Sequence, residues 1–172
     1  MRHAEYNQYF RDLATKHVDI KHSDTEMHFA RIIRSADPFF KLELSEFLTK
    51  LKSKLETPFM LLETYDARFE DNKSDNKWQL AMGAFMILDK VSKGDYNEVE
   101  SKLDFTESVA TDIIGRLYND YKLKRINWHV DLNDITLEKV GPVGDSMYGT
   151  RVDFLLKTTA NTSLKYDPSK FL

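Results

Sequence analysis

From residue 78 to residue 88 every position except Gln79 is apolar or glycine, and this run constrains the chain more than any other. A segment with no polar face has to sit in the centre of a fold. Its Leu, Ala and Met content suits a helix by intrinsic propensity. Its length, Gly83 and the turn-forming polar run at 71–76 ahead of it suit a buried strand instead. We read it as the return strand of a hairpin whose first arm, residues 59–69, alternates imperfectly. Such a strand is central, with helices on one face and another subunit on the other.

The remaining periodicities supply the helices and a second hairpin. Tyr6, Tyr9, Phe10 and Leu13 share one face of a short first helix. A segment capped by Ser23 or Asp24 carries Phe29, Ile32 and Ile33 and is either helical or irregular. Leu44, Phe47, Leu48, Leu51 and Leu55 follow helical spacing up to Pro58, which ends that helix. Tyr96, Val99 and Leu103 mark a short helix. Val109, Ile113, Ile114, Leu117, Tyr118 and Tyr121 mark a longer one, with Thr106 placed to cap it. Ile126, Trp128, Val130 and Leu132 then alternate with polar residues, and Ile135, Leu137 and Val140 continue the strand. A loop at 141–149, with Gly149 permitting the turn, leads to Val152, Phe154 and Leu156. The expected fold is α+β: an antiparallel sheet of about four strands, built as two hairpins, with helices packed on one face. The whole chain, 1–172, reads as one domain. It divides into a mostly helical 1–56, a hairpin at 57–92, a helical 95–123, a hairpin at 125–160 and a tail at 161–172.

Composition narrows the chemistry. A chain of 172 residues suits a single core. A net charge of -3 argues against a dedicated nucleic-acid surface. The absence of cysteine excludes disulfides, a thiol nucleophile and thiolate metal sites. No signal peptide is legible, and no apolar run approaches the roughly 20 residues that span a bilayer. A cytoplasmic protein without membrane contact is expected.

Candidate reactive groups are few. His17, His22 and His28 lie close in sequence, but spacings of five and six do not bring three ligands to one helical face. They read as surface histidines, and His129 as an exposed strand residue. Alternation puts Glu63 on the side of Phe59, Leu61, Tyr65 and Phe69, where aromatic surroundings favour acid–base chemistry. Arg68 points the other way, so Glu63 pairs at a strand end or across a subunit contact, or acts as a catalyst. The glycine-bearing loop 141–149 lacks the residues of a phosphate cradle. No catalytic, cofactor-binding or metal-binding residue is assigned, and no cofactor is expected. The loop tips and tail are the candidate interaction surface: Asp71, Lys73, Asp75, Trp78, Asp145, Tyr148, Phe171 and Leu172. A tail ending in Phe171 and Leu172 either docks on a neighbour or folds back on its own domain.

The order helix, hairpin, helix, hairpin, with a first strand opening at residues 57–63 (TPFMLLE) and a last entered through residues 147–156 (MYGTRVDFLL), resembles the small tail-terminator and tail-completion proteins of tailed phages and related contractile injection systems. The resemblance spans most of the chain and rests on pattern. It implies a ring-forming homo-oligomer, often hexameric, that caps a tail tube, meets tail-tube or head-connector proteins, and is assembled into a virion or phage-like particle. It implies contacts made by sheets and loops rather than an active site, and carries over no functional residue. The alternative from the residues alone is a small-ligand-binding α+β domain, enzymatic through Glu63.

Overall fold

The computed structural model describes residues 1–33, 54–71, 73, 75–92, 95–144 and 146–171. The helix expected through Leu44, Phe47, Leu48 and Leu51 lies outside these residues. Among the described residues two α-helices, α1 (His3–Lys16) and α2 (Tyr96–Lys122), pack on one face of a six-stranded sheet. The strands are β1 (Met27–Ile32), β2 (Leu55–Glu63), β3 (Asp66–Asp71), β4 (Lys77–Lys90), β5 (His129–Val143) and β6 (Met147–Thr159). They lie in the order β1-β2-β4-β6-β5, with β3 also paired to β4. The α+β class and the helices on one face are as expected. The sheet has more than about four strands and is mixed, because β1 runs parallel to β2.

β1 replaces the expected second helical segment. Phe29 packs into the core under the helices while Ala30 and Ile32 pack against the cluster on the other face, a period of two. Leu55 and Pro58 belong to β2 rather than to a helix and its stop.

The strand reading of 78–88 holds, and β4 is central. Its two faces fill separate cores. Phe85 and Ile87 meet Phe10, Val109, Ile113 and Phe154 on the helix side. Met86 and Leu88 meet Leu55, Phe59, Leu61 and Met147 on the other. Both faces are already buried in a single chain, so no second subunit is needed to cover the far one. Phe10 stacks on Phe154 with ring centres 5.4 Å apart, and Tyr9 meets Trp128 edge-on at 5.0 Å.

The first hairpin arm alternates imperfectly because it is two strands. Leu62 sits opposite Phe85 and Asp66 opposite Met82, so three residues face two across a bulge at Thr64 and Tyr65. The bulge reverses the side-chain alternation. Glu63 stays with Phe59 and Leu61 on the far face, whereas Tyr65 packs on Tyr6 and Phe69 turns to the helix side. Opposite this bulge Gly83 leaves room for α1: a Cβ there would lie 2.7 Å from the Tyr6 hydroxyl, which donates to the Glu63 carbonyl at 3.0 Å.

Residues 96–122 form one helix rather than two. Asp95 caps it by accepting from the Glu98 amide, and Thr106 is buried mid-helix, continuing the stripe from Val99 and Leu103 to Val109 and Ile113. The Thr106 hydroxyl donates to the Leu103 carbonyl and lies 3.2 Å from that of Thr150. The second hairpin starts later and turns more tightly than expected. Ile126 and Trp128 precede β5, whose alternation is interrupted between Val130 and Ile135. β5 continues to Val143 and β6 begins at Met147, so most of the loop read at 141–149 lies in strands. Gly149 lies inside β6, where a Cβ would sit 1.9 Å from the Ile87 carbonyl oxygen. Close approach of two backbones, rather than a turn, requires the glycine.

Candidate functional site

Glu63 is the charged group the sequence singles out, and its side chain is fully buried. Arg151 holds it by two bonds: Nη1 donates to Oε1, and Nη2 to Oε2 at 3.0 Å. The same guanidinium reaches Asp153 through Nε and Nη2, at 2.8 and 2.9 Å. These forked, charge-assisted bonds match the planar geometry of both partners. They cross β4 where it carries Ala84, opposite Asp153, whose methyl leaves space beneath them. Burial opposes the charge of Arg151, but the two carboxylates outweigh it and hold the guanidinium above its usual range. Glu63 is therefore an internal tie between β2 and β6. Its partner is in its own chain, not across a subunit contact. The signal for Arg151 was a charged residue in a strand whose other residues fill a core.

A second polar knot joins the helices. Asp120, nearly inaccessible, accepts from Arg116 Nε at 2.8 Å, the Tyr9 hydroxyl at 3.1 Å and Arg125 Nη1 at 3.2 Å. Burial disfavours its charge, yet these donors hold its pKa below the usual carboxylate value. Burial and then the neighbouring Asp120 push the Tyr9 phenol up.

The histidines are not a surface group. His22 is buried and its Nδ1 accepts from the His28 amide; burial first, and then the nearby Arg11, lower its pKa. His28 Nδ1 lies 2.7 Å from the Pro58 carbonyl oxygen, and His17 lies 3.5 Å from Asp112. His129 is exposed and hydrogen-bonded to the Tyr121 hydroxyl at 2.7 Å. Among the described residues no three metal-ligating side chains cluster.

The candidate interaction residues separate into two groups. Asp71, Lys73, Asp75 and Trp78 lie where β3 turns into β4, and Asp71 accepts from the Lys73 amide. Asn161, at the start of the tail, bonds to Lys77 and Asp75 there. Tyr148 lies at the other end of β4, opposite Asp89. The 14 residues of β4 place these ends about 45 Å apart. Asp145 and Leu172 lie outside the described residues. Phe171 is not folded into the core: it is 67% exposed and stacks on Tyr166 at 5.5 Å.

Sequence reasoning missed the sheet's free edges. No strand pairs with the outer sides of β1, β3 or β5 among the described residues. All six residues of β3 are exposed, Phe69 at 57%. The fifteen-residue β5 exposes Leu132 and Leu137. Pairing across β4 and β6 puts Phe69 and Leu137 on the same, helix-bearing face at opposite edges. A free edge that exposes apolar side chains can pair with another chain.

No known protein-family model matches the chain, and no curated protein sequence does either. No described helix is long and apolar enough to cross a membrane.

Proposed function

We propose that the protein is a structural component that assembles head-to-tail into a homo-oligomeric ring, as a tail-terminator or tail-completion protein would. One observation carries the reading. The four strands β3-β4-β6-β5 end in two free edges whose exposed apolar side chains, Phe69 and Leu137, share a face. Joining β3 of one copy to β5 of the next uses two different surfaces, so each copy offers one and needs one, and a closing rotation gives a ring. The side chains suit the antiparallel pairing that copies of one orientation impose: Phe69 meets Leu137, and on the far face Arg68 meets Glu138. The pattern resemblance supplies the setting, a ring on a tail tube beside a head connector, assembled in the cytoplasm into a particle.

Light scattering across a wide concentration range, with negative-stain imaging alone and beside tail-tube protein, tests the reading. The expected result is one closed species of uniform mass. Phe69→Glu and Leu137→Lys, each folded by circular dichroism, should reduce it to monomer. A monomer under every condition, with no ring beside tube protein, would overturn the proposal.

A further inference from the structure

Between α1 and the outer side of β1 lies an open groove of about 820 Å³. Its helix wall carries His3, Asn7 and Arg11, one turn apart, and its strand wall carries consecutive residues from Phe29 to Ile33. Consecutive residues of a strand can line a groove only when its hydrogen-bonding edge faces the opening. The Ile32 carbonyl accepts from Thr64 on the β2 side. By strand alternation Phe29 and Arg31 therefore turn their N–H and C=O outward.

Three observations point to what the groove takes. The Asn7 side chain belongs to a residue only 8% exposed, lines the groove, and has no hydrogen-bond partner among the described residues. Its amide therefore offers a free donor and a free acceptor to a ligand in the groove. Among the described residues the ionisable side chains of the lining are Arg11, Arg31, His3 and His22, with no acid among them, in a chain of net charge -3. Among the described residues Arg31 has no ion-pair partner, and the bond of Arg11 to Asp24 is a surface pair, with Asp24 92% exposed, and so is weak. Ile33, 78% exposed, adds an apolar contact at one end.

We infer that this groove binds an extended acidic segment of a partner protein, which adds to the sheet as a strand along β1. Its backbone pairs with Phe29 and Arg31. Carboxylates on the side facing α1 meet Arg31 and Arg11, and Asn7 bonds the backbone or a carboxylate between them. Apolar residues at the intervening positions lie beside Ala30 and Ile32. Main-chain bonds supply affinity, and the basic wall supplies specificity. This site is independent of the β3 and β5 edges and stands whether or not those close a ring.

Fluorescence anisotropy on the full chain tests it with an eight-residue peptide alternating Glu and Val. A Lys–Val peptide and a Glu–Val peptide N-methylated at every second amide serve as controls. Saturable binding of the Glu–Val peptide is expected, at least tenfold weaker for both controls. Arg31→Glu, an exposed position that leaves folding intact, should weaken it at least tenfold, and Asn7→Ala severalfold. No saturable binding up to millimolar peptide, or binding unmoved by Arg31→Glu and by N-methylation, would overturn the inference. So would an oligonucleotide that binds through Arg31 where the peptide does not. A change in the oligomeric mass of the free protein on Arg31→Glu would also overturn it, because the groove would then receive another copy.

Discussion

Replacing Arg151 by methionine keeps the length of the side chain and removes the cation from Glu63. The Glu63 carboxylate has no water to fall back on, being fully buried, and loses both of its guanidinium bonds. Breaking a buried pair by removing one partner costs about 3–5 kcal/mol. Asp153, with 35% of its side chain exposed, rehydrates and adds little. An unfolding entropy of about 2.1 cal/mol/K per residue, over 172 residues, is about 0.36 kcal/mol/K. Arg151→Met should therefore lower Tm by about 8–14 °C. Adding Glu63→Leu removes the orphaned acid and places an apolar side chain beside Leu61 and Ala84. The double variant should regain most of the loss, since apolar replacement of a buried pair is commonly neutral or better. Thermal and urea unfolding followed by circular dichroism gives both numbers. A double variant no more stable than the single would refute the tie as described.

Two further predictions use the same assay. Gly115→Ala meets nothing within 4 Å on a helix and should gain about 0.5–1 kcal/mol, whereas Gly149→Ala drives a methyl into the Ile87 carbonyl and should cost about 3 kcal/mol or more. Asp120→Asn should cost about 1.5–3 kcal/mol at neutral pH by weakening bonds to two arginines and Tyr9. The folded pKa of Asp120 is depressed, so its contribution is present above the unfolded value of about 3.9 and lost as pH falls through the folded one. The gap between wild type and variant should therefore close in acid.

What the sequence made legible were features set by local periodicity. The apolar run at 78–88 identifies the central strand because no other position in a sheet buries both faces. The stripe from Val109 to Tyr121 identifies α2, and its continuity through Thr106 was the clue that the helix starts earlier. β1 was not legible, because Phe29, Ile32 and Ile33 fit a helical spacing as well as a strand. What decides between them is a parallel partner more than 20 residues away, at Leu55 and residues 60–63. Glycines misled for a related reason. Gly141, Gly144 and Gly149 punctuate a sequence like a loop, yet Gly141 and Gly149 lie in strands where a neighbour comes too close for a side chain.

The candidate site shows the same division. Glu63 stood out because a carboxylate among apolar residues needs an explanation, but counting alternation through residue 65 gave it the wrong neighbours. One inserted residue reverses a face, and a single bulge therefore moved Tyr65 and Phe69 away from Glu63 and toward the helices. That reversal also makes Phe69 available. Had the alternation run unbroken, Phe69 would share the far face with Glu63 rather than the helix-bearing face with Leu137. Glu63, ahead of the bulge, keeps its face and its bond to Arg151, while the bulge turns the aromatic of an exposed edge strand to the face where the opposite edge exposes a leucine. Restoring a regular strand by deleting Thr64 should accordingly turn Phe69 to the far face and abolish association. Association that survived in a folded deletion variant would remove Phe69 from the contact.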